Sequence, residues 1–147
     1  MSDSSAVDNA LCDKLRDDPT LSLLLPDGVF YGQADPGLTK FAVVSLATGE
    51  DEPMFGGRAY EDLNYLVKAV VLNDEDGVAR DAAARIDELL DPQPPAPRAT
   101  LDVQGYRLMV MRRIDRVRYP DPDPNDPLVV WQHRGGHYQV VVYPVTS

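Results

Sequence analysis

The sequence predicts an α+β fold: a mostly antiparallel sheet with two helices packed on one face, plus extended loops, in a single domain. Three observations lead there. Apolar residues fill both strand parities from Leu63 to Leu72, broken mainly by Asn64 and Lys68, as in a central strand buried on both sides. Val78, Ala82, Ala83, Ile86, Leu89 and Leu90 then recur at steps of three and four, which is one face of a helix. The coarse order of elements is α, β, β, β, α, β, β, β, with turn residues between the strands and no internal repeat. At 147 residues and 44% hydrophobic content the chain can bury one proper core.

Taken in order, Val7, Leu11 and Leu15 are spaced by four within a helical stretch from residue 4 to 24, with Ser4 or Ser5 as a cap. Asp17-Asp18-Pro19 interrupts it, because the residue before a proline avoids the helical region, and Leu21 to Leu25 can form a further helical turn. Pro26-Asp27-Gly28 is a turn, Val29-Phe30-Tyr31 a short strand, Asp35-Pro36-Gly37 a second turn, and Phe41 to Leu46 the next strand. Thr48 to Arg58 reads as a long polar loop with the pair Met54-Phe55 at its far end. It is either an arm that docks on something or a loop folded back on its own core. After the strand that ends at Leu72, Asn73 or Asp74 can cap the second helix, whose positive end receives Asp74, Glu75 and Asp76. Burial of Val78, Ile86, Leu89 and Leu90 contributes roughly 1.5–3 kcal/mol each.

Residues 91–98, DPQPPAPR, can be neither helix nor inner strand and form a Pro-rich surface connector. Thr100 to Val103 is a short strand and Tyr106 to Tyr119 a long one, with Leu108, Val110 and Ile114 on one parity. Residues 120–127, PDPDPNDP, are a rigid tip. Strands Leu128–Trp131 and Tyr138–Tyr143 flank Arg134-Gly135-Gly136, which is a hairpin turn or a bulge in one long strand.

Several chemistries are disfavoured. A net charge of −10 argues against general binding of nucleic acid or anionic membranes. No apolar run reaches the roughly 20 residues a membrane helix needs, and the polar, acidic first twenty residues lack a signal peptide's pattern, so a cytoplasmic start is expected. The single cysteine, Cys12, sits beside the first helix's apolar stripe and reads as a packed side chain. His133 and His137 flank Gly135-Gly136 and read as the sides of a turn rather than a metal pair. Asp121, Asp123 and Asn125 imitate the start of a calcium loop. Asp126 stands where its glycine belongs and Gln132 where its last acidic ligand belongs, so a solvated tip is expected. No phosphate loop and no nucleophile motif is present, and no carboxylate pair stands out. The expectation is a non-enzymatic protein with no catalytic residues, no cofactor and no metal site.

The best polar signal is the arginine-rich strand, in which Arg107, Arg112, Arg113, Arg116 and Arg118 are five of the chain's 14 lysines and arginines. Positive charge on an edge strand blocks uncontrolled pairing. In a homo-oligomer these arginines can meet the acidic loop Glu50–Glu52 or the tip Asp121–Asp126 of a neighbour, and a head-to-tail contact of that kind closes into a ring. The candidate subunit interface is therefore Glu50, Asp51, Glu52, Met54, Phe55 and Arg58 on the arm, Arg112, Arg113, Arg116 and Arg118 on the strand, and Asp121 and Asp123 on the tip. The alternative is a solvated strand face.

The layout resembles the tail terminator or tail-completion proteins of long-tailed phages, including the HK97-like group. The residues that carry the resemblance are LSLLLPDGVFYG, FAVVSL, HYQVVVYP and above all YLVKAVVLNDEDGVARDAAARIDELL, and it spans roughly residues 5 to 144. The resemblance implies a structural virion protein at the head-proximal end of the tail, assembled in the host cytoplasm. Such proteins form a hexameric ring that caps the tail tube, stops its polymerisation and offers the head a joining surface. The implied partners are copies of itself, the tail tube protein and a head-completion or neck protein. Genomic DNA passes through the lumen without specific binding, which an acidic chain suits, and no membrane is involved. The alternative is a head-completion or neck connector, or another small adaptor such as an immunity-type protein.

Overall fold

The computed structural model describes residues 5–54 and 57–145, with the side chains of residues 50–59 outside that description. Its elements are α1 (Ser5–Arg16), α2 (Pro19–Leu24), β1 (Val29–Tyr31), β2 (Lys40–Met54), β3 (Gly57–Leu72), α3 (Val78–Leu90), β4 (Tyr106–Pro122) and β5 (Val130–Pro144). The five strands form one sheet in the order β1-β2-β3-β5-β4. Among the described residues only β1 pairs in parallel, with β2, and the other neighbours are antiparallel. The fold is the α+β architecture the periodicities predict, with β3 at its centre.

All the helices contribute to one core on one face of the sheet. Val7, Leu11 and Leu15 of α1 and Leu21 of α2 join Ala42 and Val44, then Leu63, Tyr65, Val67, Ala69 and Val71, then Tyr138, Val140 and Val142. Each strand set is a single parity, as the pleat demands. α1 lies over β1 and β2, and α3 lies over β5 and β3. Two buried tyrosines keep their hydroxyls satisfied from the helices: Tyr65 donates to Asp8 of α1, and Tyr138 donates to Asp87 of α3 at 3.0 Å. Cys12 is buried in this core, and its burial pushes the thiol above its usual range.

Among the described residues the helices number three rather than two. The Asp17-Asp18-Pro19 break is a helix start, because the Asp18 carboxylate accepts the Leu21 N–H at 2.9 Å and Pro19 occupies the first turn, where no N–H is required. Asp18 is only 8% exposed, and Arg85 of α3 grips it through two hydrogen bonds of 2.9 and 2.6 Å, which locks α2 onto α3. At α3, Asp74 is the residue that receives the first N–H groups, from Val78 at 2.8 Å and Ala79 at 2.9 Å. Asn73 instead accepts the Val130 N–H at 2.8 Å and ties the end of β3 to the start of β5. The buried stripe of α3 is Ala79, Ala82, Ile86 and Leu90, so Ala79 replaces Ala83 on the inner face.

Four other expectations are corrected. Residues 100–103 form no strand, yet Val103 is buried and anchors the connector to the core. The expected loop 48–58 is the outer half of a hairpin, since β2 and β3 stay paired as far as Met54 opposite Gly57. Pro120 to Pro122 belong to β4, so the tip proper begins at Asp123. The stretch around Arg134-Gly135-Gly136 is neither turn nor bulge: β5 runs straight through it, with Gly135 opposite Lys68 and Gly136 opposite Val67. A Cβ on Gly135 would meet the Val67 carbonyl at 2.0 Å, and one on Gly136 the Asp115 carbonyl at 2.4 Å, so strands approach closely here because no side chain intervenes. The bulges lie instead in β4, between Leu108 and Val110 and between Arg113 and Asp115.

Candidate assembly surfaces

Three surfaces follow from this framework. The first is the sheet face that no helix covers. Phe30, Phe41 and Trp131 form an aromatic row on it, with ring centroids 6.3 and 6.2 Å apart. Tyr119 stacks on His133 at 4.4 Å, and the Lys68 ammonium donates to the Tyr119 hydroxyl at 2.9 Å. Burial and the Lys68 charge lower the His133 pKa, so this ring favours its neutral form. Four residues along β5, His137 lies on the same face with its Nδ1 2.7 Å from Asp115 Oδ1, and that hydrogen bond holds the Asp115 carboxyl below its usual range. The two histidines are thus strand residues with separate partners. Among the described residues, no group of His, Cys, Asp and Glu is arranged to hold a metal ion.

The second surface is the free edge, β4. Its bulges break the parity that would have aligned Leu108, Val110 and Ile114: Leu108 packs on the core, while Val110 is 40% and Ile114 51% exposed. Strand alternation and the bulge after Arg113 together separate the arginines. Arg112 lies on the uncovered face and donates to Gln139 Oε1 at 2.8 Å, and Gln139 donates to Asp62 at 2.9 Å. Arg113 points to the helix face and bridges to Asp87 at 2.8 Å. Arg116 and Arg118 border a cleft of about 530 Å³ between α3 and the β4–β5 ribbon, together with Arg80 and Arg134. Arg112 and Arg113 are therefore tied within the molecule, while Arg116 and Arg118 have no partner among the described residues. The sequence pattern missed Arg134 and Arg80, because they come from β5 and α3 and only the fold brings them together.

The third surface is the β2–β3 arm. β3 pairs with β5 only as far as Glu61 opposite Val142, but β2 and β3 continue together beyond it. Backbone register places Glu50 opposite Asp62, Asp51 opposite Glu61, Glu52 opposite Tyr60 and Pro53 opposite Arg58. The side chains of Glu50, Asp51, Glu52, Met54 and Arg58 lie outside the described set, as does the whole of Phe55. At the opposite end of the sheet, Asp121 lies across from Trp131, its carboxylate 3.7 Å from His133. Asp123 and Asp126 accept the N–H groups of Asn125 at 2.8 Å and Leu128 at 3.1 Å, so these two carboxylates hold their own turn. The tip and the arm thus belong to different ends of the molecule.

None of the described helices is long and apolar enough to cross a membrane. In comparisons with known proteins, no family model matches the chain, and no curated protein matches it in sequence. Solved structures do match. One is a chain from the virion of a native gene transfer agent particle, 18% identical, with a TM-score of 0.63 over 94% of this chain and 96% of that one. Another, whose name states no function, is 14% identical, with a TM-score of 0.59 over 99% of this chain and the full length of its counterpart. What these likenesses share with the present chain, end to end, is the fold.

Proposed function

We propose that this chain is a non-enzymatic structural component of a phage-like virion and, within it, the tail terminator. In this reading copies of the chain close into a hexameric ring on the finished tail tube, stop its growth and present a surface to the head-completion or neck protein. The observation that carries the reading is the end-to-end likeness to a chain of a gene transfer agent virion. Three features suit a ring subunit. The sheet keeps one aromatic face without a helical layer. Its free edge carries arginines. A hairpin arm with three consecutive acidic residues reaches past the other strands. Heterologous contacts between unlike patches are the kind that build rings. Removing the gene from a particle-producing strain tests the role. Overgrown tail tubes and unjoined heads are expected, whereas tails of normal length attached to heads would reject it.

A further inference from the structure

We infer that the arginine cleft between α3 and the β4–β5 ribbon is the receptor for the acidic β2–β3 arm of a second copy of this chain. The inference rests on the ring reading above and names the contact that joins one subunit to the next. Arg118 and Arg134 stand directly opposite each other across β4 and β5, and Arg116 follows on the same face opposite Gly136, which contributes no side chain. Like charges facing each other across a sheet destabilise it. The acidic groups bordering the cleft do not relieve them: Asp87 is held by Arg113 and Tyr138, and Glu88 by Arg85 at 2.9 Å. Among the described residues, Arg80 reaches only its own neighbour, Asp81. A chain with net charge −10 thus concentrates Arg116, Arg118 and Arg134, which have no side-chain partner among the described residues, in one cleft. Guanidinium forks match carboxylates in geometry, and such charge-assisted pairs are the strong ones.

The arm is the acidic segment placed to fill it. It leaves the sheet at the end where Tyr106 and Pro144 pair, along the β2 side. The arginines lie toward the other end, near the Asp121–Trp131 pair, along the β4 side. Donor and receptor therefore occupy diagonally opposed corners, so one copy's arm meets the next copy's cleft head to tail. The tip is the weaker candidate, because Asp123 and Asp126 hold their own turn and lie at the cleft's own end.

A charge-swap experiment on the full chain tests this. One variant carries Arg116→Glu with Arg118→Glu, the other Glu50→Lys, Asp51→Lys and Glu52→Lys, and sedimentation at low salt reads association. The wild type is expected to associate with concentration, less so as salt rises. Each variant alone is expected to lose about tenfold or more in association constant. An equimolar mixture is expected to regain it, because every contact again pairs opposite charges. If the acidic cleft variant melts early, Arg116→Gln with Arg118→Gln replaces it, with a smaller expected loss and a partial recovery on mixing, because its unchanged acidic arm still meets the unchanged arginines of the arm variant. Well-folded variants whose mixture stays apart overturn the inference. A cleft variant that still forms sixfold rings overturns the arm contact while leaving the ring reading standing. A wild type that stops at a strict dimer rejects the ring reading itself. Loss of binding to a DNA oligonucleotide in the cleft variant, with self-association unchanged, would assign the cleft to phosphates instead.

Discussion

Gly135→Ala is expected to be severely destabilising although it adds a single methyl group. The new Cβ would sit 2.0 Å from the Val67 carbonyl oxygen, 2.5 Å from Lys68 Cα and 2.9 Å from Lys68 Cβ. Two of those atoms are backbone of the central strand, so no rotamer change relieves the clash. Overpacking alone costs about 1–3 kcal/mol. Parting β3 from β5 enough to admit the methyl also weakens about two ladder hydrogen bonds, each worth about 1 kcal/mol. The sum is about 3–5 kcal/mol, a large share of the roughly 5–15 kcal/mol that holds a domain together. For a chain of this length that lowers Tm by roughly 10 °C or more. Gly136→Ala makes an instructive comparison, because its Cβ would meet the Asp115 carbonyl at 2.4 Å on the outer strand, beside a bulge. An edge strand yields more readily, so the expected loss there is smaller, about 1–3 kcal/mol. Urea unfolding followed by Trp131 fluorescence and circular dichroism measures both. A Gly135→Ala protein within about 0.5 kcal/mol of wild type, the range of an ordinary surface substitution, would refute the close-approach reasoning.

Other outcomes follow from the same structure. Asp18→Asn keeps a cap acceptor but breaks the charge-assisted grip of Arg85, and a loss of about 1.5–3 kcal/mol is expected in the same unfolding assay. The hydrogen bonds from Arg85 lower the Asp18 pKa, so this stabilisation is present above the unfolded carboxylate value of about 3.9 and disappears as pH falls through the folded value. His133 has a lowered pKa, so the unfolded chain binds the proton more readily. Stability is therefore expected to fall as pH drops below about 6.5, and the His133→Gln protein is expected to lose that dependence in pH-resolved melts. Deleting Met54-Phe55 from the arm is expected to weaken assembly on tail tubes while leaving the melting temperature unchanged. Equal loss of thermal stability would place the pair in the core instead. Calcium titration is expected to leave Trp131 fluorescence unchanged, because Asp123 and Asp126 hold the tip's own backbone. A saturable response would overturn that reading.

The core was legible because its signals are periodic. The double-parity run from Leu63 to Leu72 is the central strand, and the stripe that follows is the helix packed over it and β5. Legibility failed wherever a single residue changes the register. The two β4 bulges moved Val110 and Ile114 to the surface, and a fixed two-residue parity has no means of showing them. Arg134-Gly135-Gly136 carries the residues of a turn, but its glycines serve a close strand approach that depends on a partner strand distant in sequence. The candidate interface divided partly by ordinary strand alternation and partly by the bulge after Arg113. Arg112 and Arg113 are adjacent in sequence yet go to opposite faces and find internal partners, while Arg116 and Arg118 meet Arg134 and Arg80 only in the folded molecule.

The ring is the central claim, and its most direct test is the mass and symmetry of the chain bound at the ends of tail tubes, read by mass photometry and electron cryomicroscopy. A sixfold ring capping one end of each tube is the predicted result. A strict dimer at high concentration, with no higher species even beside tail tubes, would contradict it.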